Sequence, residues 1–280
     1  MHTLGQVPPL AADQRNKRLE AIGKRGSLRV GYLNDALPFV YLRGGNELVG
    51  IDVDMVGMLA NDLGVGVDFV SLSRDDIVES LLSGQVDIVI GGLFATPDRA
   101  LDTALSESYM EASLSLVVRD YRRSEFRNWH AIERHEGLKL AVIDLPFLVK
   151  RVEKELPNAQ VTRIATPSEF FTADEERFDA LLYSAEAGSA WTLLFPQYSV
   201  VVPEPNVISI PVAFVLPSDT TRWNRYVDAW INLNKTSRSV KRLYDYWILG
   251  QGAREKKRRW SVVHNVLGWE DLLRKNFSFS

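Results

Sequence analysis

A buried strand that runs through a glycine pair into the start of a helix constrains this chain more than any other stretch. Residues 86–90 are almost continuously apolar, which is typical of a strand covered on both faces in a parallel sheet. The glycine pair that follows allows a tight turn. Thr96 suits a helix N-cap and Pro97 suits the first helical position. The stretch therefore predicts a strand–turn–helix unit with Arg99 in the first turn of the helix.

Arg99 is predicted to lie at the place where open α/β sheets bind their ligands, beside the carboxyl end of a strand. A guanidinium carries paired donors that match both oxygens of a carboxylate. An isolated arginine in a helix start also fits a solvated surface residue. The sequence on both sides of the turn favours the ligand-binding interpretation.

The first hundred residues alternate predicted strands and helices. Strands are predicted at 28–32, 65–72 and 86–90, and helices at 50–63 and 74–83. A glycine directly follows each helix, at the position where a left-handed residue ends a helix. This order implies right-handed crossovers and a parallel, doubly wound sheet.

Composition narrows the possible functions. The chain has 280 residues, of which 46% are hydrophobic and 25% charged, so it is an ordinary globular protein with room for two lobes. Its net charge of -3 argues against nucleic acid as the main partner. The absence of cysteine excludes thiolate chemistry. His130 and His135 lie five positions apart, which does not suit a metal pair on one helical face, so we predict neither a metal nor a cofactor.

No apolar stretch approaches the ~18 residues of a membrane span. The first ten residues also lack the basic and then apolar pattern of a secretory signal. Two explanations follow: a cytosolic protein, or a piece whose targeting segment lies upstream. We favour the second.

Ordered motifs lie along the chain at 28–31, 38–39, 50–54, 81–87, 96–99 and 106–109, and weaker ones follow at 137–142, 178–182, 210–215 and 243–247. Together they resemble the motifs of the family 3 bacterial extracellular solute-binding proteins, which are the amino-acid-type periplasmic binding proteins. The resemblance covers about residues 26–250. It implies an α/β fold of the Venus flytrap type, in which two lobes, each a doubly wound sheet, are joined by two crossover hinge strands.

The resemblance also implies how the chain is divided. We expect a linker and short helix at 1–25, lobe one at 26–118 plus 209–250, lobe two at 119–208, and a tail at 251–280. The hinge strands are expected near 116–119 and 207–210, where the chain is apolar and β-branched. The tail is basic and then amphipathic, which fits contact with a membrane surface or packing against a lobe.

A cleft between the lobes is the ligand site that the resemblance implies. Arg99 matches the arginine that binds the ligand's carboxylate in relatives, and the backbone amides around Gly92, Leu93 and Phe94 are expected to add donors. The further candidate ligand-binding residues are Asp35, Phe39, Arg74, Asp144, Phe147 and Ser184.

Several of these positions depart from the pattern of the relatives. Ser184 stands where relatives that bind α-amino acids usually carry an acid for the ammonium group. Glu186 is a possible substitute, although an exposed glutamate at a helix start is the favoured interpretation. Phe94 replaces a small hydroxyl residue, so it narrows the pocket or stacks on a planar ligand. Asp144 and Phe147 belong to a stretch that replaces a Gly-Thr pair.

Arg74 stands where an aromatic residue often lines the cleft. If Arg74 and Arg99 both face the cleft, they match a ligand with two carboxylates, which is a dicarboxylate or an acidic amino acid. The alternative is that Arg74 begins a surface helix and pairs with Asp75 or Asp76, and the sequence leaves both interpretations open.

The resemblance implies a monomeric, non-enzymatic binding protein outside the cytoplasm, in the periplasm or on the outer face of a bacterial membrane. Its ligand is expected to be an amino acid or dicarboxylate, bound for transport or sensing by closure of the lobes. The expected partner is a membrane transporter. The tail and the stretch at 18–26 resemble binding domains fused to a sodium:dicarboxylate symporter-type protein.

The alternative is an enzyme on the same scaffold, similar to the cyclohexadienyl or arogenate dehydratases. Such an enzyme needs a carboxyl group within hydrogen-bond reach of the leaving hydroxyl. Asp35, Asp144 and Glu186 are the candidates for that acid.

Overall fold

The strand predicted at 86–90 lies in the middle of a sheet. A computed structural model describes residues 17–34, 36–44, 47–205 and 207–251. In chain order its first elements are α1 (Lys17–Arg25), β1 (Ser27–Leu33), β2 (Tyr41–Arg43), β3 (Glu47–Val49), α2 (Ile51–Leu63), β4 (Gly66–Leu72), α3 (Ile77–Leu82), β5 (Ile88–Ile90), α4 (Pro97–Asp102) and β6 (Ala104–Leu105). Two lobes of α/β structure follow from these and the later elements.

The second half of the chain supplies the other sheet. Its elements are β7 (Met110–Arg119), a 3₁₀ helix (Asp120–Phe126), α5 (Trp129–Glu133), β8 (Lys139–Ile143), α6 (Pro146–Glu155), β9 (Gln160–Ile164), α7 (Pro167–Phe171), β10 (Ala180–Ser184), α8 (Ala185–Leu194), β11 (Tyr198–Val201), β12 (Ser209–Val212), β13 (Val215–Leu216), α9 (Thr221–Thr236) and α10 (Ser239–Trp247). The chain therefore returns to the first sheet after the second is complete, because β13 pairs with β5 and β6.

The first sheet has the order β4-β1-β5-β13-β6. β1 runs parallel to both β4 and β5, as the alternation of strands and helices predicts. Val30, Ile88 and Ile90 are fully buried in its core. Gly64 ends α2 in the left-handed region, with φ 69°. α3 is shorter than predicted, because Asp76 accepts hydrogen bonds from the Ser73 amide and hydroxyl and holds residues 73–76 in a turn.

The second sheet has the order β11-β7-β10-β8-β9. β8 is parallel to β9 and β10, whereas β7 is antiparallel to β10 and β11. Its inner residues Leu116, Leu140 and Leu182 are at most 1% exposed. Both faces of this sheet are covered, which explains the near-continuous apolar runs of its strands.

β7 and β12 connect the two sheets. Residues 110–113 of β7 pair with β12, and residues 114–119 pair with β10 and β11. The first connection therefore lies a few residues earlier than the predicted 116–119, because that apolar run is the buried centre of the second sheet. β12 overlaps the predicted second connection at 207–210. The lobe boundaries at 118 and 209 stay a prediction.

Ion pairs and a hydrogen bond connect both ends of the described chain to the first sheet and its helices. Arg18 and Arg25 of α1 form ion pairs with the buried carboxylate of Asp87, which precedes β5. At the other end, the Trp247 indole donates to Asp54 Oδ2 of α2 at 2.8 Å. Residues 1–16, which include the predicted linker, and nearly all of the tail lie outside the described residues. Within those residues, no helix combines the length and apolarity needed to cross a membrane.

Candidate ligand-binding cleft

A cavity of about 560 Å³ lies between the two sheets. Six of its lining residues stand at or just beyond the carboxyl ends of six different strands: Leu33, Leu72, Gly91, Asp144, Ala165 and Ser184. This is the edge at which open α/β sheets bind ligands. The volume is typical of a small-molecule site.

Arg99 lines this cavity, as predicted from the strand–turn–helix unit. Thr96 caps α4 by accepting a hydrogen bond from the Arg99 amide, and Pro97 occupies the first turn. The guanidinium Nη1 donates to the carbonyl oxygen of Phe94. No carboxylate of the described residues forms an ion pair with Arg99. Burial, and then the charge of Arg74, lower the pKa of Arg99 to about 10, so the group remains a cation at neutral pH.

Arg74 lines the same cavity. In the described part of the chain it pairs with neither Asp75 nor Asp76, so the surface-pairing alternative is wrong; Asp76 is instead the acceptor for Ser73. Arg74 is solvent-exposed, and residues of both sheets line the cavity that it borders. Burial lowers the pKa of Arg74, and the neighbouring Tyr183 and Asp144 raise it.

The turn after β5 forms the wall beside Arg99. Gly92, Leu93, Phe94 and Phe39 all line the cavity. Gly92 has φ +61°, and a Cβ at this position would lie 2.2 Å from the Phe39 ring, so only glycine fits. The prediction that the Gly92 amide is free for the ligand is wrong, because it donates to Asp52 Oδ2 at 2.9 Å. No described residue accepts a hydrogen bond from the amides of Leu93 or Phe94.

Asp52 is the residue behind this turn that the sequence did not identify. It is fully buried and also accepts hydrogen bonds from the Gly91 amide at 2.9 Å and the Tyr109 hydroxyl at 2.6 Å. Burial raises its pKa to about 6, although the hydrogen bonds lower it. The available signal was its place at a helix start directly after Gly50, but that pattern equally fits a solvated first-turn acid.

The opposite wall comes from the second sheet. Asp144 lines the cavity directly after β8, and Tyr183, which we did not predict, lines it near the end of β10. Ser184 lines it as well, but its hydroxyl caps α8 by accepting a hydrogen bond from the Ala187 amide at 3.2 Å. The hydroxyl is therefore already engaged.

Two predicted positions are not among the described residues that line the main cavity. Phe147 does not line the main cavity; it lines a smaller one of about 180 Å³ between α4 and α6, which shares Arg74, Arg99 and Asp144 with the main cavity. The reason is that Pro146 begins α6 and turns the next side chain toward α4. Asp35 falls outside the described residues.

Glu186 corrects another expectation. Its side chain is buried rather than exposed, because the start of α8 packs against β7. Its carboxylate accepts a hydrogen bond from the Ser113 amide at 3.1 Å, and it does not line the cavity. Burial raises the pKa of this carboxyl.

The cleft thus places two arginines on one wall beside an apolar turn, with a tyrosine and an aspartate opposite. No group of three or more histidines, aspartates and glutamates in the described ranges is placed to hold a metal ion. The arrangement suits recognition of an anion. Two acids of the described chain line the cavity, Asp75 next to Arg74 and Asp144 on the wall facing the arginines, and Asp144 is the one of these that the sequence suggested as an acid catalyst.

Comparisons with known proteins agree with the fold. Residues 28–250 match the bacterial extracellular solute-binding proteins, family 3. The cyclohexadienyl dehydratase of Pseudomonas aeruginosa is 22% identical over 253 residues, which are 89% of this chain and 90% of that protein.

Two crystal structures illustrate the likeness in three dimensions. One is of the ancestral amino acid-binding protein AncCDT-1, described as a precursor of cyclohexadienyl dehydratase. It has a TM-score of 0.72 at 26% identity and covers 82% of this chain and 99% of its own. The other is of the amino acid ABC transporter substrate-binding protein AbpA from Streptococcus pneumoniae, bound to L-arginine. It has a TM-score of 0.70 at 21% identity and covers 80% of this chain and 95% of its own, so it supports the fold alone.

Proposed function

Because this chain belongs to the bacterial extracellular solute-binding proteins of family 3, we propose that it binds a small carboxylate-bearing solute between its two lobes. The observation that carries the proposal is a charged Arg99 that lines a cavity of about 560 Å³ without a carboxylate partner among the described residues. Partial burial of a cation without a counter-ion is costly, and an anionic ligand offsets that cost.

The ligand's first carboxylate is assigned to Arg99. The planar guanidinium matches two carboxylate oxygens, and Phe94 holds one of its nitrogens through a carbonyl oxygen. The amides of Leu93 and Phe94 have no acceptor among the described residues, so they are available to the same ligand. Charge-assisted hydrogen bonds of this kind are the strong ones in a protein.

A second carboxylate is assigned to Arg74. The two arginines share the cavity, and the charge of one lowers the pKa of the other. A dianion offsets both charges, whereas a single carboxylate leaves one of them unpaired. Glu186 does not line the cavity, so Asp144 on the opposite wall is the acid available to an ammonium group, whether the amino acid is acidic or neutral. We therefore place a dicarboxylate or acidic amino acid ahead of a neutral amino acid.

Closure of the lobes follows from the position of the ligand between the walls. Arg74 and Arg99 contact it from the side of the first sheet, and Tyr183 and Asp144 lie on the side of the second. Contacts to both walls form only when the walls approach, so the ligand favours the closed form by that difference in affinity. β7 and β12 are the connections about which the lobes would move.

The proposed setting is extracytoplasmic, in the periplasm or on the outer face of a bacterial membrane. The binding protein, as a monomer, would deliver its solute to a membrane transporter or serve a sensor. Fusion to a sodium:dicarboxylate symporter-type protein stays a prediction.

A thermal-shift panel tests the proposal. Succinate, malate and L-glutamate are expected to raise the melting temperature more than L-alanine and L-leucine do. A ligand at about a hundred times its Kd adds about 2.7 kcal/mol to the free energy of unfolding. Preference for the neutral amino acids would refute the two-arginine site. Failure of every carboxylate to bind would refute the function itself.

The second candidate is a dehydratase on the same scaffold. It is favoured by the likeness to the Pseudomonas aeruginosa cyclohexadienyl dehydratase along 89% of this chain. The sequence suggested three acids. Glu186 accepts a hydrogen bond from Ser113 and does not line the cavity, and Asp35 is outside the described residues. Among the described residues, Asp144 is therefore the one of the three that lines the cleft. Incubation with prephenate or arogenate, with Asp144→Asn as control, tests this. An aromatic product that depends on Asp144 would establish the enzyme, and its absence would leave the binding function.

A further inference from the structure

A carboxylate that has no cationic partner among the described residues lies behind the glycine turn of the cleft. Asp52 is 0% exposed. Its Oδ2 accepts hydrogen bonds from the amides of Gly91 and Gly92, both at 2.9 Å, and its Oδ1 accepts one from the Tyr109 hydroxyl at 2.6 Å. A fully buried carboxylate is rare unless it has a specific task.

An ionised carboxylate best satisfies the three donors around Asp52. The group then accepts hydrogen bonds at both oxygens and brings no hydrogen of its own. The amide nitrogen of an asparagine cannot accept from the Tyr109 hydroxyl, and the hydroxyl of a protonated acid is a weaker acceptor that also needs an acceptor for its own proton. An unsatisfied buried donor costs about as much as a strong hydrogen bond contributes.

Asp52 reaches the ligand wall through short covalent and hydrogen-bonded paths. The turn that it holds continues into Phe94, whose carbonyl oxygen accepts from Arg99 Nη1. On the other side, the Tyr109 amide donates to Val212 at 3.1 Å, and Val212 of β12 forms a bridge with Phe94. The Asp52 carboxylate thus connects the start of α2 to the glycine turn and to Tyr109, which directly precedes the connecting strand β7.

We propose that ionised Asp52 is a positioning residue of the ligand site, which fixes the turn at residues 91–94 and through it the Arg99 guanidinium. This inference rests on the carboxylate-binding role proposed for Arg99. Asp52 does not line the cavity, so it acts only through the turn.

The environment of Asp52 connects this role to pH. Burial raises its pKa to about 6, against the effect of its three hydrogen bonds. The titratable group that faces it is Tyr109, whose own pKa burial raises well above the usual value, so the tyrosine stays neutral. On the same helix, Asp54 accepts a hydrogen bond from Trp247, and Arg99 on α4 faces the cavity. Protonation of Asp52 below neutral pH should therefore loosen the turn and weaken ligand binding.

Calorimetric titration with L-glutamate at pH 7.5, 6.5 and 5.5 tests the inference, because glutamate stays doubly ionised over this range with a side-chain pKa of about 4.3. We expect the Kd of the wild type to rise about threefold from pH 7.5 to 5.5, equivalent to about 0.7 kcal/mol, because a carboxyl with a pKa of about 6 is roughly three quarters protonated at pH 5.5. The nearly isosteric variant Asp52→Asn should bind L-glutamate about tenfold more weakly at pH 7.5. Its Kd should not change with pH between 7.5 and 5.5. L-malate, compared between wild type and this variant, serves as the second probe.

Two further variants separate positioning from general stability. Tyr109→Phe removes a hydrogen bond that favours the ionised form, so the midpoint of the profile should move to higher pH. Asp54→Asn, a change of the same type two positions along α2, should keep the wild-type profile. Melting temperatures of all variants check that they fold.

The outcomes are distinguishable. Binding by the wild type with a flat profile, or an Asp52→Asn profile like that of the wild type, would overturn the positioning role while leaving the proposed function intact. Absence of binding to both probes at every pH would overturn the dicarboxylate function and this inference together.

Discussion

Arg74 and Arg99 line the same cavity, and burial together with the charge of Arg74 lowers the pKa of Arg99 to about 10. Neither cation forms an ion pair with a carboxylate of the described residues, although the charge of Asp144 partly offsets that of Arg74. The positive charge of the cleft therefore favours an anionic ligand. Replacing either arginine should reveal which part of the ligand each one holds.

Arg99→Met should weaken binding of every carboxylate ligand. Loss of a charge-assisted contact in a desolvated site costs about 2–5 kcal/mol, which corresponds to roughly thirtyfold or more in Kd. Calorimetric titration measures the change. The matched control is Arg222→Met, because Arg222 pairs with Glu20 on the surface of α9 at 3.6 Å. Unchanged affinity in the Arg99 variant would exclude this arginine from the site.

Arg74→Gln should reduce discrimination between L-glutamate and L-glutamine, which have the same shape and differ by one charge. The wild type is expected to favour glutamate, and the variant should lose about tenfold of that preference because a hydrogen bond to a charged group contributes about 1.5–3 kcal/mol. The Kd values for both ligands in both proteins form a thermodynamic cycle, which isolates the interaction between Arg74 and the second carboxylate. An equal loss for the two ligands would show that Arg74 does not contact the second carboxylate.

Gly92→Ala should destabilise the protein and damage the ligand wall. Gly92 and Gly64 both have positive φ, at +61° and +69°, but only at Gly92 would a new Cβ meet another atom, the Phe39 ring at 2.2 Å. Gly64→Ala therefore reports the backbone strain alone, about 1–2 kcal/mol. Gly92→Ala adds overpacking of about 1–3 kcal/mol. Urea unfolding compares the two, and similar losses would mean that Phe39 yields without cost.

Asp179→Asn should reduce stability in a pH-dependent way. Burial raises the Asp179 pKa, but the hydrogen bonds from Arg122 at 2.5 Å and the Lys139 amide at 2.9 Å, with the charge of Arg122, outweigh burial and lower it. A carboxyl with a lowered pKa stabilises the fold above its unfolded pKa of about 3.8, and the effect disappears as pH falls through the folded value.

Urea unfolding of Asp179→Asn and wild type between pH 7 and pH 3 measures this dependence. The variant should be less stable by about 1 kcal/mol at pH 7, and the two should converge toward pH 3. A difference that stays constant over this range would assign the loss to packing rather than to the carboxylate's charge.

Local patterns in the sequence were sufficient for the parts of the fold that neighbours along the chain decide. The N-cap at Thr96, the end of α2 at Gly64 and the buried strand β5 all depend on residues within a few positions, so each could be read directly. The parallel pairing of β1, β4 and β5 followed from the order of strands and helices. Placement of Arg99 at the cleft followed from the same order.

Partners distant along the chain decided the rest of the site. Asp52 is buried because Gly91 and Tyr109, thirty-nine and fifty-seven positions away, provide its hydrogen bonds. Glu186 is buried because β7 packs against the start of α8, which reversed the expectation of an exposed side chain. A carboxylate at a helix start looks the same in sequence whether water or buried donors solvate it. The sequence alone thus determined the scaffold and its central cation, and only the tertiary structure decided which polar groups remain free for a ligand.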